Sequence, residues 1–261
     1  MSRCKNKHFV IPDTQVKKGV PLDHLTAAGN YIVAKKPDVI IHLGDHWDMP
    51  SLSSYDVGTL KAEGGRYRDD VKAGQDAMDI LLQPIRDYNA KRAKNHKKQY
   101  TPRMVFLMGN HEHRINRAVN EDPKMEGKVD ISDLDVESYG WEVYRYQQIV
   151  EIDGILYSHN FVNTDSLTKN IIGGTVYNKL GKIGQSFTMG HQQTLQMGMR
   201  YTNTGKCFRG LVAGAFYQHN EAYMGEQGNH HWRGCVMCHE VHDGNYSVTE
   251  VTIDFLLEEY L

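Results

Sequence analysis

The 261-residue chain lacks the features that would place it in a specialised class. No apolar stretch approaches the roughly 18 residues needed to span a bilayer. The start, Met-Ser-Arg-Cys-Lys-Asn-Lys-His, has no apolar core of a signal peptide. A cytoplasmic location without membrane contact is therefore expected. There are only four cysteines, Cys4, Cys207, Cys235 and Cys238, and without an export signal they are expected as reduced thiols rather than a disulfide framework. Neither sign of charge dominates. Thirty Lys and Arg against 32 Asp and Glu leave a formal net charge of −2, which removes any global pull toward nucleic acid or anionic membrane. There is also no internal repeat and no low-complexity linker. One domain over 1–261 is expected, with a helical insertion at about 60–100 and C-terminal β-hairpins at about 200–261. The length allows a sizeable core.

What is present is a series of five polar clusters, each placed directly after a strand-like run. They are Asp13-Thr14-Gln15, Gly44-Asp45-His46-Trp47-Asp48, Gly109-Asn110-His111-Glu112, Ser158-His159-Asn160 and Gly190-His191-Gln192-Gln193. The preceding runs are His8 to Ile11, Val39 to Leu43, Met104 to Met108, Ile155 to Tyr157 and, more weakly, Ser186 to Met189. Short apolar runs are how strands of a covered sheet read, and open α/β sheets carry their chemistry beyond the carboxyl ends of strands. A helix is expected from about Asp23 to Lys36, with Leu25, Ala28, Ile32 and Val33 on one face and Pro37 as its stop. The right-handed crossover rule then makes the first two strands parallel. A second helix should cover about Asp69 to Asn95, kinked or divided by Pro84. A short helix should start near Arg114, and three strands should follow from Trp141 to Tyr157. Asp243-Gly244-Asn245 reads as the tight turn of a hairpin between Cys235 to Val241 and Tyr246 to Ile253.

The donor set of the clusters suits metal ions. Asp13 and Asp45 offer carboxylate oxygens, Asn110 an amide oxygen, and His159 and His191 imidazole nitrogens. Two cations held together can clamp an oxyanion and acidify a water for attack at phosphorus. His111, next to Asn110, would stand at the rim to stabilise phosphoryl charge or protonate the leaving oxygen, oriented by Glu112 or Asp48. Asp48 serves equally well as a helix cap.

In order and context these residues resemble the calcineurin-like metallophosphoesterase family. The resemblance runs from Asp13 to Gln193 and is most specific at Gly44-Asp45-x-x-Asp48 and Gly109-Asn110-His111-Glu112. It implies an α/β fold, a four-layer α-β-β-α sandwich of two mixed β-sheets flanked by helices. It implies two divalent ions, with Asp45 bridging, Asn110, His159 and His191 on the second, Asp13 on the first, and His111 as the catalytic histidine. The implied activity is hydrolysis of a phosphoester by a metal-activated water, on a phosphodiester of a nucleotide or nucleic acid. A phosphomonoesterase and a catalytically degenerate binding or scaffold protein are the alternatives. The sequence departs from the family at Gln15 and Gln193, where the resemblance would place histidines of the first metal. An oxygen-dominated shell favours Mn²⁺, or Mg²⁺, over Zn²⁺ or iron.

Other features have plainer readings. Cys235-Val236-Met237-Cys238-His239 spells a haem-attachment pattern, and Cys235, Cys238, His239 and His242 could be imagined around zinc. However, positions 235 and 238 face opposite sides of a regular strand. His42 is expected in the sheet rather than at a metal. Lys91 to Arg103 carries six basic residues and no acid, as a solvated helix end or a phosphate-backbone contact. Tyr217, His219, Tyr223, His230, His231 and Trp232 could line a substrate pocket, stack a base, or simply pack a loop. Arg114, just past the third cluster, could reach a phosphate, but reads by default as a surface charge near a helix start.

Overall fold

The computed structural model describes residues 5–53, 65–221 and 224–261; Cys4, Tyr223 and the first residues of the expected helical insertion lie outside them. Two mixed sheets are stacked and flanked by helices. The first sheet contains β1 (Asn6–Ile11), β2 (Val39–His42), β3 (Arg103–Leu107) and β4 (Glu142–Tyr144), all parallel. In the second are β5 (Val150–Ile152), β6 (Ile155–Tyr157), β7 (Phe187–Met189), β8 (Leu195–Tyr201) and β9 (Cys207–Ala213), of which β6, β7 and β9 run parallel. The hairpin of β10 (Gly234–His242) and β11 (Asn245–Thr252) returns to the first sheet, β10 lying antiparallel beside β1. The strand orders are β11-β10-β1-β2-β3-β4 and β5-β6-β7-β9-β8.

Strand alternation sorts the core into layers. Val10, Ile41, Leu43, Val105 and Leu107 face inward and meet Ile152, Ile155, Tyr157, Leu211 and Ala213 of the second sheet. Phe9, Ile11, Ile40 and Phe106 face outward. Against them lie α1 (Asp23–Lys35), α2 (Tyr67–Lys94) and the C-terminal helix, which is α6 (Ile253–Tyr260). On the far side α4 (Val176–Ile183) covers Phe187, Met189 and Val212. Among the described residues the remaining α-helices are α3 (Arg114–Glu121) and the single turn α5 (Gly225–Gly228).

The second helix departs from expectation: α2 runs unbroken through Pro84. Pro84 packs on Gly29 of α1, where a Cβ would meet its Cγ at 2.8 Å, so the bulky ring falls where the neighbouring helix is thinnest. Several elements differ from the sequence reading, among them α5, whose Gly225–Gly228 stretch reads as a loop. Helix α4 is only eight residues long, although Thr175 caps one end and Gly184, at φ 71°, closes the other. The hairpin of β8 and β9 carries no tight-turn dipeptide at its Thr202–Lys206 connection. Helix α6 lies in the stretch expected to hold C-terminal β-hairpins and begins where the Thr252 hydroxyl accepts from the Phe255 amide.

Cys235 and Cys238 are buried in different layers, Cys235 under the helices and Cys238 between the sheets, so they form neither a zinc nor a haem site. Among the described residues no helix is long and apolar enough to cross a membrane.

Candidate metal centre

All five clusters follow strands β1, β2, β3, β6 and β7 and so collect at one end of the two sheets. The loops after β1 and β2 are zipped together: Gln15 and Val16 amides donate to the Asp45 and His46 carbonyls, and the Asp48 amide donates to Val16. The backbone there is strained. Gln15, Asp45, Met49, His191 and Gln193 all have positive φ, between 41° and 67°. Gly109 and Gly190 are required for a different reason. A Cβ on either would collide with the carboxylate of Asp45 or of Asp13 respectively.

Four donor atoms converge. Asn110 Oδ1 lies 2.9 Å from His159 Nε2 and 2.7 Å from His191 Nδ1. His159 Nε2 lies 3.4 Å from Asp45 Oδ2. Ligands about 2.1 Å from a common ion stand about 3.0–3.4 Å apart, so these contacts of 2.7 to 3.4 Å need only a small opening for the four atoms to share one ion. Asp45, His159 and His191 alone form a group able to hold a metal ion. The His159 Nδ1–H donates to the Leu43 carbonyl at 2.7 Å, which fixes the ring with Nε2 toward the centre.

Electrostatics fit a cation. Burial alone would lower the His159 pKa, but Asp45 and Asp13 raise it to about 10, so without a cation this ring takes a proton in its place. Burial, reinforced by the neighbouring Asp45, raises Asp13 to about 7 despite His159. Burial and the charge of His159 lower His191 to about 4.

The remaining donors test a second ion. Asp13 Oδ1 accepts from the His191 amide at 3.1 Å, while buried Asp13 Oδ2, Gln15 Oε1 and Gln15 Nε2 have no hydrogen-bond partner. Of these three orphaned polar atoms the two oxygens suit a cation, whereas the amide nitrogen, a donor, does not. Gln193 Oε1 accepts from the Tyr217 hydroxyl at 2.7 Å. Asp13 and Gln15 thus offer buried oxygen atoms that a second cation could take, while the Gln193 oxygen is engaged by Tyr217.

His111 stands beside this centre. Its amide donates to Asp45 Oδ1 at 2.9 Å, and its Nδ1–H is shared between the Asp48 carboxylate and carbonyl, each at 2.9 Å. Nε2 faces the site, 3.8 Å from Asp45 Oδ2. Burial opposes a proton on this ring, but Asp45 and Asp48 prevail and its pKa is raised. Asp48 itself is held at about 2: burial would raise it, and His111 and Lys17 outweigh that.

Two expectations change. Glu112 makes no bond to His111. Its carboxylate accepts from four backbone amides, Gly109 and Asp45 on Oε2 and His46 and Trp47 on Oε1, at 2.6 to 3.0 Å. It builds the loop that carries Asp45, and Asp48 alone orients His111. Arg114 is not a free surface charge. Its guanidinium donates to the Asp48 carbonyl at 2.7 Å and lies 3.2 Å from His111 Nε2, with its side chain 12% exposed. Sequence proximity to His111 was the available signal.

The other candidates lie elsewhere. The basic stretch sits at the end of α2 and the start of β3, the opposite end of the sheet from the clusters, and Arg103 pairs there with Glu142. Tyr217 is buried behind Gln193, with His219 stacked on one face at 4.7 Å and the Arg233 guanidinium 4.8 Å from its ring. The ring is fully buried, so it is not open to a base. His42 is buried in β2 against Phe106, as expected of a sheet residue.

Comparison with known proteins gives distant likenesses. No family model and no curated protein matches the chain. Among solved structures, a conserved uncharacterized protein from Streptococcus pneumoniae TIGR4, a predicted phosphoesterase, is 10% identical with TM-score 0.38, covering 97% of this chain and 92% of that one. A protein of Thermus thermophilus is 8% identical with TM-score 0.30, covering 95% and 99%. Likeness at this level leaves the site to be read from its own geometry.

Proposed function

We propose that this chain is a metal-dependent phosphoesterase. The supporting observation is the convergence of Asp45, Asn110, His159 and His191 on one point, with a histidine held by a carboxylate at its rim. Asp45, Asn110, His159 and His191 would hold one cation, and Asp13, Gln15 and Gln193, with Asp45 shared, a second. Bound divalent ions would supply Lewis acidity, withdrawing charge from a phosphoryl oxygen and acidifying a water. The oxygen-rich second set supports Mn²⁺ or Mg²⁺.

The chain's own groups supply the rest. Arg114 Nη2 donates to His111 Nε2 at 3.2 Å, so a phosphoryl oxygen entering here would take over the guanidinium bond and, once the ring is doubly protonated, accept from Nε2–H as well, which stabilises charge as it develops. Asp48 fixes the His111 tautomer and favours a second ring proton, so Nε2–H can pass that proton to the leaving oxygen. Among the described residues, the basic groups bonded to His111 or to Asp48 are Arg114 and Lys17, and Lys17 is already held by two carboxylates. That modest supply of positive charge suits a monoanionic phosphodiester better than a dianionic monoester. With the basic stretch at the far end of the sheet, a nucleotide-sized diester suits the site better than a long nucleic acid.

A binding protein on the same fold is the competing reading, favoured by Gln15 and Gln193. Paired aryl monoester and diester substrates, assayed with Mg²⁺, Mn²⁺, Zn²⁺ and chelator, separate the two. The proposal expects Mn²⁺-dependent turnover, faster on the diester, reduced about 10²–10⁴-fold in His111→Ala. Absence of turnover with every metal sinks it.

A further inference from the structure

Behind Asp48, on the side away from His111, lies a buried ionic chain that joins three distant parts of the sequence. Asp48 divides its carboxylate: Oδ1 accepts from His111 Nδ1, and Oδ2 accepts from Lys17 Nζ at 2.9 Å. Lys17 donates onward to both oxygens of Glu221, at 2.6 and 2.8 Å. His219 Nε2 reaches the same Glu221 carboxylate at 2.7 Å. Glu221 is itself anchored through its backbone. Its amide donates to Asn229 Oδ1 at 2.7 Å, and its carbonyl accepts from Asn229 Nδ2 at 2.9 Å.

The arrangement is costly unless it positions something. Side-chain exposure falls from 25% at Lys17 to 10% at Asp48 and 5% at Glu221, so two carboxylates are desolvated around one ammonium. Such a group gives little net stability compared with an apolar replacement, and its best-attested use is to specify geometry. The ammonium has three N–H donors, and all three have carboxylate oxygens within reach. Lys17 directly follows the zipped segment at Val16, whose carbonyl accepts from the Asp48 amide. The backbone of Asp48 is thereby fixed by one strand of contacts and its side chain by another.

We propose that Lys17, clamped by Glu221, is a positioning residue for His111: it holds the Asp48 carboxylate in the rotamer that orients the imidazole. This rests on the phosphoesterase reading for its kinetic consequence, although not for the hydrogen-bond geometry itself. Glu221 thereby ties the segment after β9 to the rim of a site built from the loops of other strands.

The test uses the full chain with Mn²⁺ and bis(4-nitrophenyl) phosphate. Lys17→Met lowers kcat about 10–100-fold, the usual cost of losing an outer partner of a site residue. KM and calorimetric Mn²⁺ affinity change less than twofold, because the converging metal donors are untouched. Combined with His111→Ala, Lys17→Met produces no further loss, since its effect runs through the imidazole. Glu221→Gln, whose backbone anchors to Asn229 remain, gives the same pattern and carries the test if Lys17→Met fails to melt cooperatively. A second readout needs no turnover. The His111 Nδ1 proton, identified by its absence in His111→Ala, resonates downfield in proton NMR of the wild-type protein and shifts or broadens in Lys17→Met and Glu221→Gln.

An unchanged kcat, losses that add in the double variant, or an unmoved Nδ1 resonance would overturn the assignment. Wild-type protein inert with every metal would fail the phosphoesterase reading instead. The NMR comparison would then still decide whether Lys17 positions His111.

Discussion

Replacing Glu112 by glutamine tests how the metal loop is built. The carboxylate is fully buried and accepts from four backbone amides, those of Gly109, Asp45, His46 and Trp47. A glutamine keeps one oxygen, hence two of the four bonds, and turns an NH₂ group toward the other two amides. Two buried donors are stranded, at about 1–3 kcal/mol each. The gain on removing a buried charge offsets part of this, since burial and the nearby Asp45 raise the Glu112 pKa. A net loss of about 3 kcal/mol is expected, a large fraction of the roughly 5–15 kcal/mol that holds a domain folded. With an m-value of about 3 kcal/mol/M, the urea midpoint falls by about 1 M. Calorimetric Mn²⁺ affinity falls as well, because the Asp45 amide loses its anchor. A midpoint within about 0.3 M of wild type, with unchanged Mn²⁺ binding, refutes the argument that this carboxylate organises the loop.

Three further outcomes follow from the same structure. His24, buried at the start of α1 beside Gln218, has its pKa lowered to about 4 by desolvation, against 6.5 when unperturbed. A histidine kept neutral in the fold is protonated first in the unfolded chain. Its contribution is therefore intact above pH 6.5 and is lost as pH falls toward 4, by about 3 kcal/mol at most; His24→Gln should flatten that part of the stability–pH curve, and an unchanged slope counts against it. Gly74→Ala places a Cβ against the Trp47 indole and should cost about 1–3 kcal/mol by urea denaturation, a neutral effect contradicting the packing. Cys235 and Cys238 are fully buried and burial raises both thiols, so a maleimide should label them only on unfolding; labelling of either in the native protein would refute their placement.

Much of the site was legible because its chemistry sits on short-range pattern. A strand end followed by Gly-Asp or Gly-Asn-His is a local signal, and β1, β2, β3, β6 and β7 were each readable as apolar runs. The opposite faces of Cys235 and Cys238 followed from strand alternation alone, and the layers bear this out. What failed was local pattern with a distant cause. Pro84 was expected to kink or divide α2, which is not divided, and its ring packs on Gly29, 55 residues earlier. Of the two partners expected for His111, Asp48 takes the role, and Glu112 turns back to amides about 65 residues away.

The sequence by itself determined the order of the clusters, the strands that carry them, and the donor atoms available to a cation. Period-two alternation and residue type are written residue by residue, which is why they could be read. Only the tertiary structure decided what each side chain touches. Asn110 meeting His159 and His191, Arg114 folding onto His111, and Glu221 reaching Lys17 across 204 positions all depend on loops from separate strands packing at one end of the sheets. Such contacts are set by the closing of the fold: the resemblance grouped Asn110 with His159 and His191, but no spacing in the chain foretold Glu221 on Lys17.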